Sequence, residues 1–195
     1  MSTPDWPVIG VFSMLGLVFG SFLNVCIVRL PHGESPVAPR SRCPRCSNQI
    51  SWYDNIPLVS WVALGGKCRH CRLPISVQYP LIEAAVGLIW GLSAFHYGLT
   101  ARALAGGLFG TVLLGAVILD TRHESIPEDY NLSGLGIGVL VALATGLAGL
   151  SSAVLGAAVG FGSLFAVERL GEHFFGEGAI GGSYSRMMAF IGAFL

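Results

Sequence analysis

Residues 6–28 form a run of 23 positions without one charged side chain. An α-helix rises 1.5 Å per residue, and about 20 apolar residues cross the hydrocarbon of a bilayer. In that solvent the backbone must satisfy its own hydrogen bonds, which a helix does within a single segment. Further apolar runs follow at 81–100, with Glu83 near its start, and at 104–119, 132–150, 152–167 and 187–195. The pattern predicts an all-α polytopic membrane protein with about six transmembrane helices. The last run has nine residues, too few to span, so the helical region is expected to be half inserted or truncated at its C-terminus. Only 11% of the 195 residues are charged, against about 25% in ordinary soluble domains. The formal net charge of zero gives no reason to expect a nucleic-acid partner. The 27 glycines, many inside the apolar runs, are expected to let helices approach closely. The first run lacks the basic start and small-residue cleavage site of a signal peptide.

Lysine and arginine set the orientation. Seven of the eleven lie between Arg29 and Arg72, so the segment between the first two runs is expected on the cytoplasmic side and the N-terminus outside. Counting crossings returns 120–131 and 168–186 to the cytoplasm. The intervening outer loops are very short.

The first of these loops contains Cys43-Pro-Arg-Cys46 and, after 21 intervening residues, Cys68-Arg-His-Cys71. Two CxxC pairs offer four thiolates, the ligand set of a structural tetrahedral zinc site. Two disulfides would use the same four residues, but a reducing cytoplasm disfavours them. His70 is expected to be exposed, and Cys26 to be a small packed apolar residue. Trp52, Tyr53, Pro57 and Trp61 between the knuckles are read as packing or interfacial groups, with a turn beginning at Asp54-Asn55.

The 104–119 run leads directly into Asp120. An acid at the end of an apolar span is a candidate functional group. The residues alone leave two readings open: a catalytic carboxylate, or a helix end at the headgroup level paired with Arg122. Glu124, Glu128 and Asp129 read as a solvated turn around Pro127. Aspartyl proteolysis needs two carboxylates that share a proton, and the second has to come from another cytoplasmic segment.

Three stretches together resemble the type IV prepilin peptidases. The first is Gly20-Ser21-Phe22-Leu23-Asn24-Val25 with Arg29-Leu30-Pro31. The second is the double CxxC with Trp52-Tyr53-Asp54-Asn55-Ile56-Pro57 and Tyr79-Pro80-Leu81-Ile82-Glu83. The third is Asp120 with Ile126-Pro127. The resemblance runs from about residue 12 to the end of the chain. It implies a multi-pass protein of the bacterial inner membrane. Such a protein cleaves the leader of type IV prepilins or pseudopilins and N-methylates the new N-terminus with S-adenosylmethionine. Asp120 matches the first catalytic aspartate, and Cys43, Cys46, Cys68 and Cys71 match the zinc ligands. Glu83 lies in a stretch associated with methylation.

The implied organisation is a first helix at 1–30, a zinc module at 31–79 and a peptidase-like helical domain at 80–195. The second aspartate of the family lies in a GxGD motif followed two residues later by lysine. Here the gap-free alignment puts Ser183 at the second motif glycine, Tyr184 at the aspartate and Arg186 at the lysine. No aspartate follows Asp129, and Glu172 and Glu177 fall at other positions. A phenol ordinarily ionises near pH 10, so Tyr184 is a poor substitute for a carboxylate. Glu128 stands where the family has Asp or Asn.

Overall fold

In a computed structural model, the described residues are 5–123, 125–146, 149–175 and 183–194. Among them the chain is helical, without extended strands: α1 (Trp6–Arg29), α2 (Val59–Ala63), α3 (Gln78–Tyr97), α4 (Ala101–His123), α5 (Glu128–Thr145), α6 (Gly149–Phe175) and α7 (Ser183–Phe194), with short 3-10 turns at Leu30–His32 and Trp52–Asn55. The chain forms two compact units, residues 1–103 and 104–195.

The first unit is α1 packed on α3, with the cysteine-bearing segment between them. Proline in the first turn opens α1, where its missing N–H costs nothing. The 3-10 turn that follows α1 ends on Gly33 in the left-handed conformation, φ +70°. Small residues bring the two helices together: a Cβ on Gly16 would lie 2.8 Å from Trp90 Cβ, and one on Gly20 would lie 2.8 Å from Glu83 Cα. Behind them Ile27, Val86 and Trp90 are fully buried, with Phe19 stacked on the indole at 4.8 Å. Cys26 is buried, as expected of a small packed side chain. Met14, Val18, Leu88 and Leu92 remain exposed, which suits helices whose outer surface meets lipid.

In the second unit, α7 packs on α5 and α6. Gly156 and Gly160 on α6, four residues apart, meet the α7 backbone at Gly192 and Met188 so closely that neither leaves room for a Cβ. Tyr130 at the start of α5 donates to the Val112 carbonyl of α4 at 2.8 Å. Leu119 and Phe190 are completely buried. Pro127 caps α5, and Glu128 and Asp129 occupy its first turn, where carboxylates complement the helix dipole.

Among the described residues, three helical stretches are long and apolar enough to cross a membrane: Trp6–His32, Ala101–His123 and Leu150–Phe174. The chain is thus a mostly helical, integral membrane protein. Of the other expected spans, α7 has 12 residues. The helices α3 and α5 carry polar side chains in their early turns, among them Glu83, Asp129 and Asn131. Boundaries also move. The run expected at 132–150 is helical from Glu128 and stops at Thr145, because Gly146 adopts φ +61° and its N–H donates to the Ala142 carbonyl to close the helix. The run expected at 152–167 extends to Phe175, so Glu168, Arg169 and Glu172 are helical and not part of a loop. The last helix starts at Ser183, four residues before the expected Met187.

Candidate functional site

The four cysteines predicted as ligands do converge. The sulfurs of Cys43, Cys46, Cys68 and Cys71 all lie within 4.8 Å of one another, with Cys43 and Cys71 at 3.9 Å. All four are free thiols. Four sulfurs about 2.3 Å from a central zinc stand about 3.8 Å apart in a regular tetrahedron, so the donor set and its spacing fit that ion.

The two knuckles are built alike. Cys43 N–H donates to Asn48 O and Ser47 N–H to Cys43 O, both at 2.9 Å; Cys68 N–H donates to Leu73 O and Arg72 N–H to Cys68 O, at 2.9 and 3.0 Å. Ser47 and Arg72 both take positive φ, +57° and +59°. Isolated bridges Arg42 with Gln49 and Lys67 with Pro74 close the two hairpins. N–H groups of Cys71 and His70 draw the Cys68 thiol down to about 6, while burial and the neighbouring sulfurs push Cys71 up to about 11, so the cluster favours a thiolate at Cys68 first. His70 is exposed, as expected.

The segment between the knuckles is anchored to them. Arg69 makes a two-pronged contact with Asp54, 2.6 and 2.8 Å, and lies over the Tyr53 ring at 5.5 Å. That guanidinium holds the Asp54 carboxyl below its ordinary range. Trp61 donates to Ile75 O at 3.3 Å and covers Gly66, so it packs the module; Trp52 is 75% exposed. Leu58 adopts φ +60°, ψ −50°, and Val59 N–H reaches Pro57 O at 2.6 Å. This is a three-residue turn costing about 1–3 kcal/mol for a residue with a Cβ. It aims the Leu58 N–H at Glu83 Oε2, 2.9 Å away, and the Ser21 hydroxyl also donates to that carboxylate.

Residues from α1, α3 and both knuckles line a cavity of about 480 Å³ that includes Ser21, Asn24, Leu58 and Glu83. Asn24 is 1% exposed. Its amide nitrogen donates to Gly20 O and Tyr79 O at 3.3 and 3.1 Å. Its amide oxygen has no hydrogen-bond partner among the described residues. The sequence reading singled out Glu83 but gave Asn24 no role, because an asparagine within an apolar run signals polarity without showing what it faces.

The second unit brings Asp120, half-buried at the end of α4, against Tyr184 in the first turn of α7. The phenol donates to Asp120 Oδ1 at 3.0 Å. Arg186, one further departure from the family pattern, meets another at Glu128 Oε1, 3.3 Å away. Thr121 turns its hydroxyl back onto α4, donating toward Val117 O at 2.9 Å and Ile118 O at 3.0 Å. Glu172 pairs with Arg169 at 2.9 Å; Glu124, Glu177 and the glycine-rich stretch 176–182 lie outside the described residues. A residue missed from sequence is Glu168, 5% exposed, whose Oε1 accepts the Ser185 N–H at 3.1 Å. It serves an orphan donor of α7's first turn. Reading 168–186 as a loop concealed it.

A four-thiol lobe set on apolar helices, and a polar site built on an aspartate at the end of an apolar helix, define a helical integral membrane protein with a candidate metal module. Residues 14–97 match the Bacterial Peptidase A24 N-terminal domain, and residues 107–195 match the Type IV leader peptidase family. The chain belongs to that family. It is 40% identical over 190 residues to a prepilin leader peptidase/N-methyltransferase of Myxococcus xanthus, covering 97% of this chain and 57% of the relative. Proteins of the same name from Stutzerimonas stutzeri and Neisseria gonorrhoeae are 36% and 33% identical; the alignments cover 92% and 94% of this chain and 70% and 72% of those relatives. The chain therefore spans little more than half the length of the Myxococcus relative. No solved structure matches it.

Proposed function

We propose that this chain acts on type IV prepilins or pseudopilins in a bacterial inner membrane, as a leader peptidase and N-methyltransferase whose peptidase half is slowed by Tyr184. It crosses the bilayer with six helices, the shorter ones completed by their neighbours. Its N-terminus is outside, and the metal module and Asp120 are on the cytoplasmic side. The methylation half comprises the metal module with its flanking helices, and the peptidase half begins at α4.

The observation that carries this reading is the contact of Tyr184 with Asp120, at the places where the family sets its two acids. Asp120 is the group that takes a proton from water as it attacks the scissile carbonyl. The carbonyl oxygen then needs a donor, which in a two-carboxylate site is the protonated partner. Here the group that meets Asp120 in the first turn of α7 is a phenol, which donates a hydrogen bond but does not share its proton as a second carboxyl does. Cys43, Cys46, Cys68 and Cys71 would hold zinc, which supplies folding energy and no chemistry. S-adenosylmethionine, the expected methyl donor, supplies an electrophilic methyl group when bound.

The second reading is a methyltransferase or prepilin-binding subunit without proteolysis. The test incubates the purified chain with a prepilin bearing its leader, or with pre-cleaved pilin, plus S-adenosylmethionine, and follows substrate mass. The expected result is one methyl gained by pre-cleaved pilin and slow leader removal. Methylation with no leader removal supports the second reading. Absence of both, with no binding of prepilin, refutes the assignment.

A further inference from the structure

Two buried acceptors in the first unit are not accounted for by the metal module. Glu83 and Asn24 line the same 480 Å³ cavity, a volume within the usual range of small-molecule sites, about 300–1,000 Å³. Both are almost fully enclosed, at 7% and 1% exposure. Glu83 forms no salt bridge among the described residues; the Leu58 N–H and the Ser21 hydroxyl donate to it. The Asn24 oxygen has no donor among the described residues. An enclosed carboxylate without a countercharge and an enclosed amide oxygen without a donor are both costly, and together they call for a donor that carries positive charge.

We propose that this cavity binds an organic cation, an ammonium or sulfonium, whose charge is met by the Glu83 carboxylate and the Asn24 amide oxygen. Arg29 and Arg42 line the same cavity and can receive an anionic end of the same ligand, so a zwitterion fits better than a simple amine. The backbone agrees with a positioned carboxylate: the left-handed turn at Leu58 exists in register with Glu83 and holds one of its oxygens. The proposal rests on the methylation reading above, which supplies two sources for such a charge. One is the methyl donor, with its sulfonium; the other is the free amine of a cleaved pilin.

The test measures binding by calorimetry to the full chain in lipid nanodiscs, with zinc content checked. The ligands are S-adenosylmethionine, its uncharged thioether product, and an apolar peptide with a free or an acetylated N-terminus. Glu83→Gln keeps an oxygen for the Leu58 N–H and removes the charge, so a purely structural carboxylate predicts unchanged affinity. The expected result is a loss of about tenfold in affinity for one cationic ligand in Glu83→Gln and a smaller loss in Asn24→Ala, with the uncharged counterparts little affected. Loss for S-adenosylmethionine alone assigns the site to the donor, and loss for the free-amine peptide alone assigns it to the acceptor. A parallel measurement needs no variant: apolar carbodiimide labelling of Glu83 in the native chain, read by mass spectrometry, falls when the ligand is present. Equal affinity of folded variants and native chain, or no binding of either cation, overturns the proposal. If the native chain still methylates pilin while these variants bind normally, the site is wrong and the function stands.

Discussion

Replacing Tyr184 with aspartate restores the residue type that the proposed peptidase function expects at that position, yet the structure predicts a poor gain. The phenol oxygen lies 3.0 Å from Asp120 Oδ1. From standard bond lengths, a tyrosine hydroxyl stands about 3 Å farther from its Cα than an aspartate oxygen does. An aspartate on the same backbone therefore leaves roughly 6 Å between the carboxyls, where proton sharing requires about 3 Å. Closing that gap means moving the start of α7. Arg186 resists through its ion pair with Glu128, and α6 resists through its backbone contact with α7 at Gly156 and Gly160. A well-placed acid or base is worth about 10²–10⁴-fold in rate, or about 3–5 kcal/mol. Leader cleavage of a prepilin, timed by gel or mass spectrometry, is expected to rise less than about tenfold in Tyr184→Asp. It is expected to rise through most of the available range when Ser183→Gly and Arg186→Lys are added. A single Tyr184→Asp variant as fast as the triple variant would refute the reasoning.

Other outcomes follow from the same geometry. Cys43→Ser, or strong chelation, is expected to release the metal and unfold residues 41–75, since structural zinc supplies about 10–16 kcal/mol in small modules; metal analysis with near-ultraviolet dichroism checks this. Asp54→Asn is expected to lower the thermal stability of the metal module at neutral pH. Because Arg69 depresses the Asp54 carboxyl, the pair's contribution is complete above the unfolded value near 3.9 and disappears as pH falls through the lower folded value. The difference between variant and native melting temperatures should therefore vanish at strongly acid pH, and a constant difference would contradict it. Gly160→Ala places a Cβ against the Met188 carbonyl and is expected to cost about 1–3 kcal/mol, read by denaturant titration in detergent, with loss of the α6–α7 contact.

The elements best read from sequence were those with a one-dimensional signature. Four cysteines in two spaced pairs define a ligand set whatever surrounds them, and Asp120 stands out because an apolar run ends on it. Tyr184 was found by alignment to a motif, and its hydrogen bond to Asp120 joins positions 64 residues apart. Helix ends were less legible. Apolar character continues past Gly146, but the left-handed conformation there ends α5, and hydropathy is blind to dihedral angles. The polar end of α6 has the composition of a loop, since Glu168, Arg169 and Glu172 follow an apolar run, although the buried Glu168 serves the first turn of α7. The Leu58 turn had no signal at all, since leucine is not a residue expected at positive φ.

The pairing of two like hairpins around one set of sulfurs makes the stretch from Cys46 to Cys68 a closed ring when metal is bound. Enlarging a flexible ring is cheap: doubling its length costs about 0.6 kcal/mol. Residues 47–50 are held to the Cys43 hairpin, so the junction at Ser51 is where insertions have little effect on the helices beneath. Past Trp52 that freedom ends, because each added residue would rotate Leu58 away from Glu83. One junction of the ring is free to lengthen, and the arc beyond it is held to the register of α3.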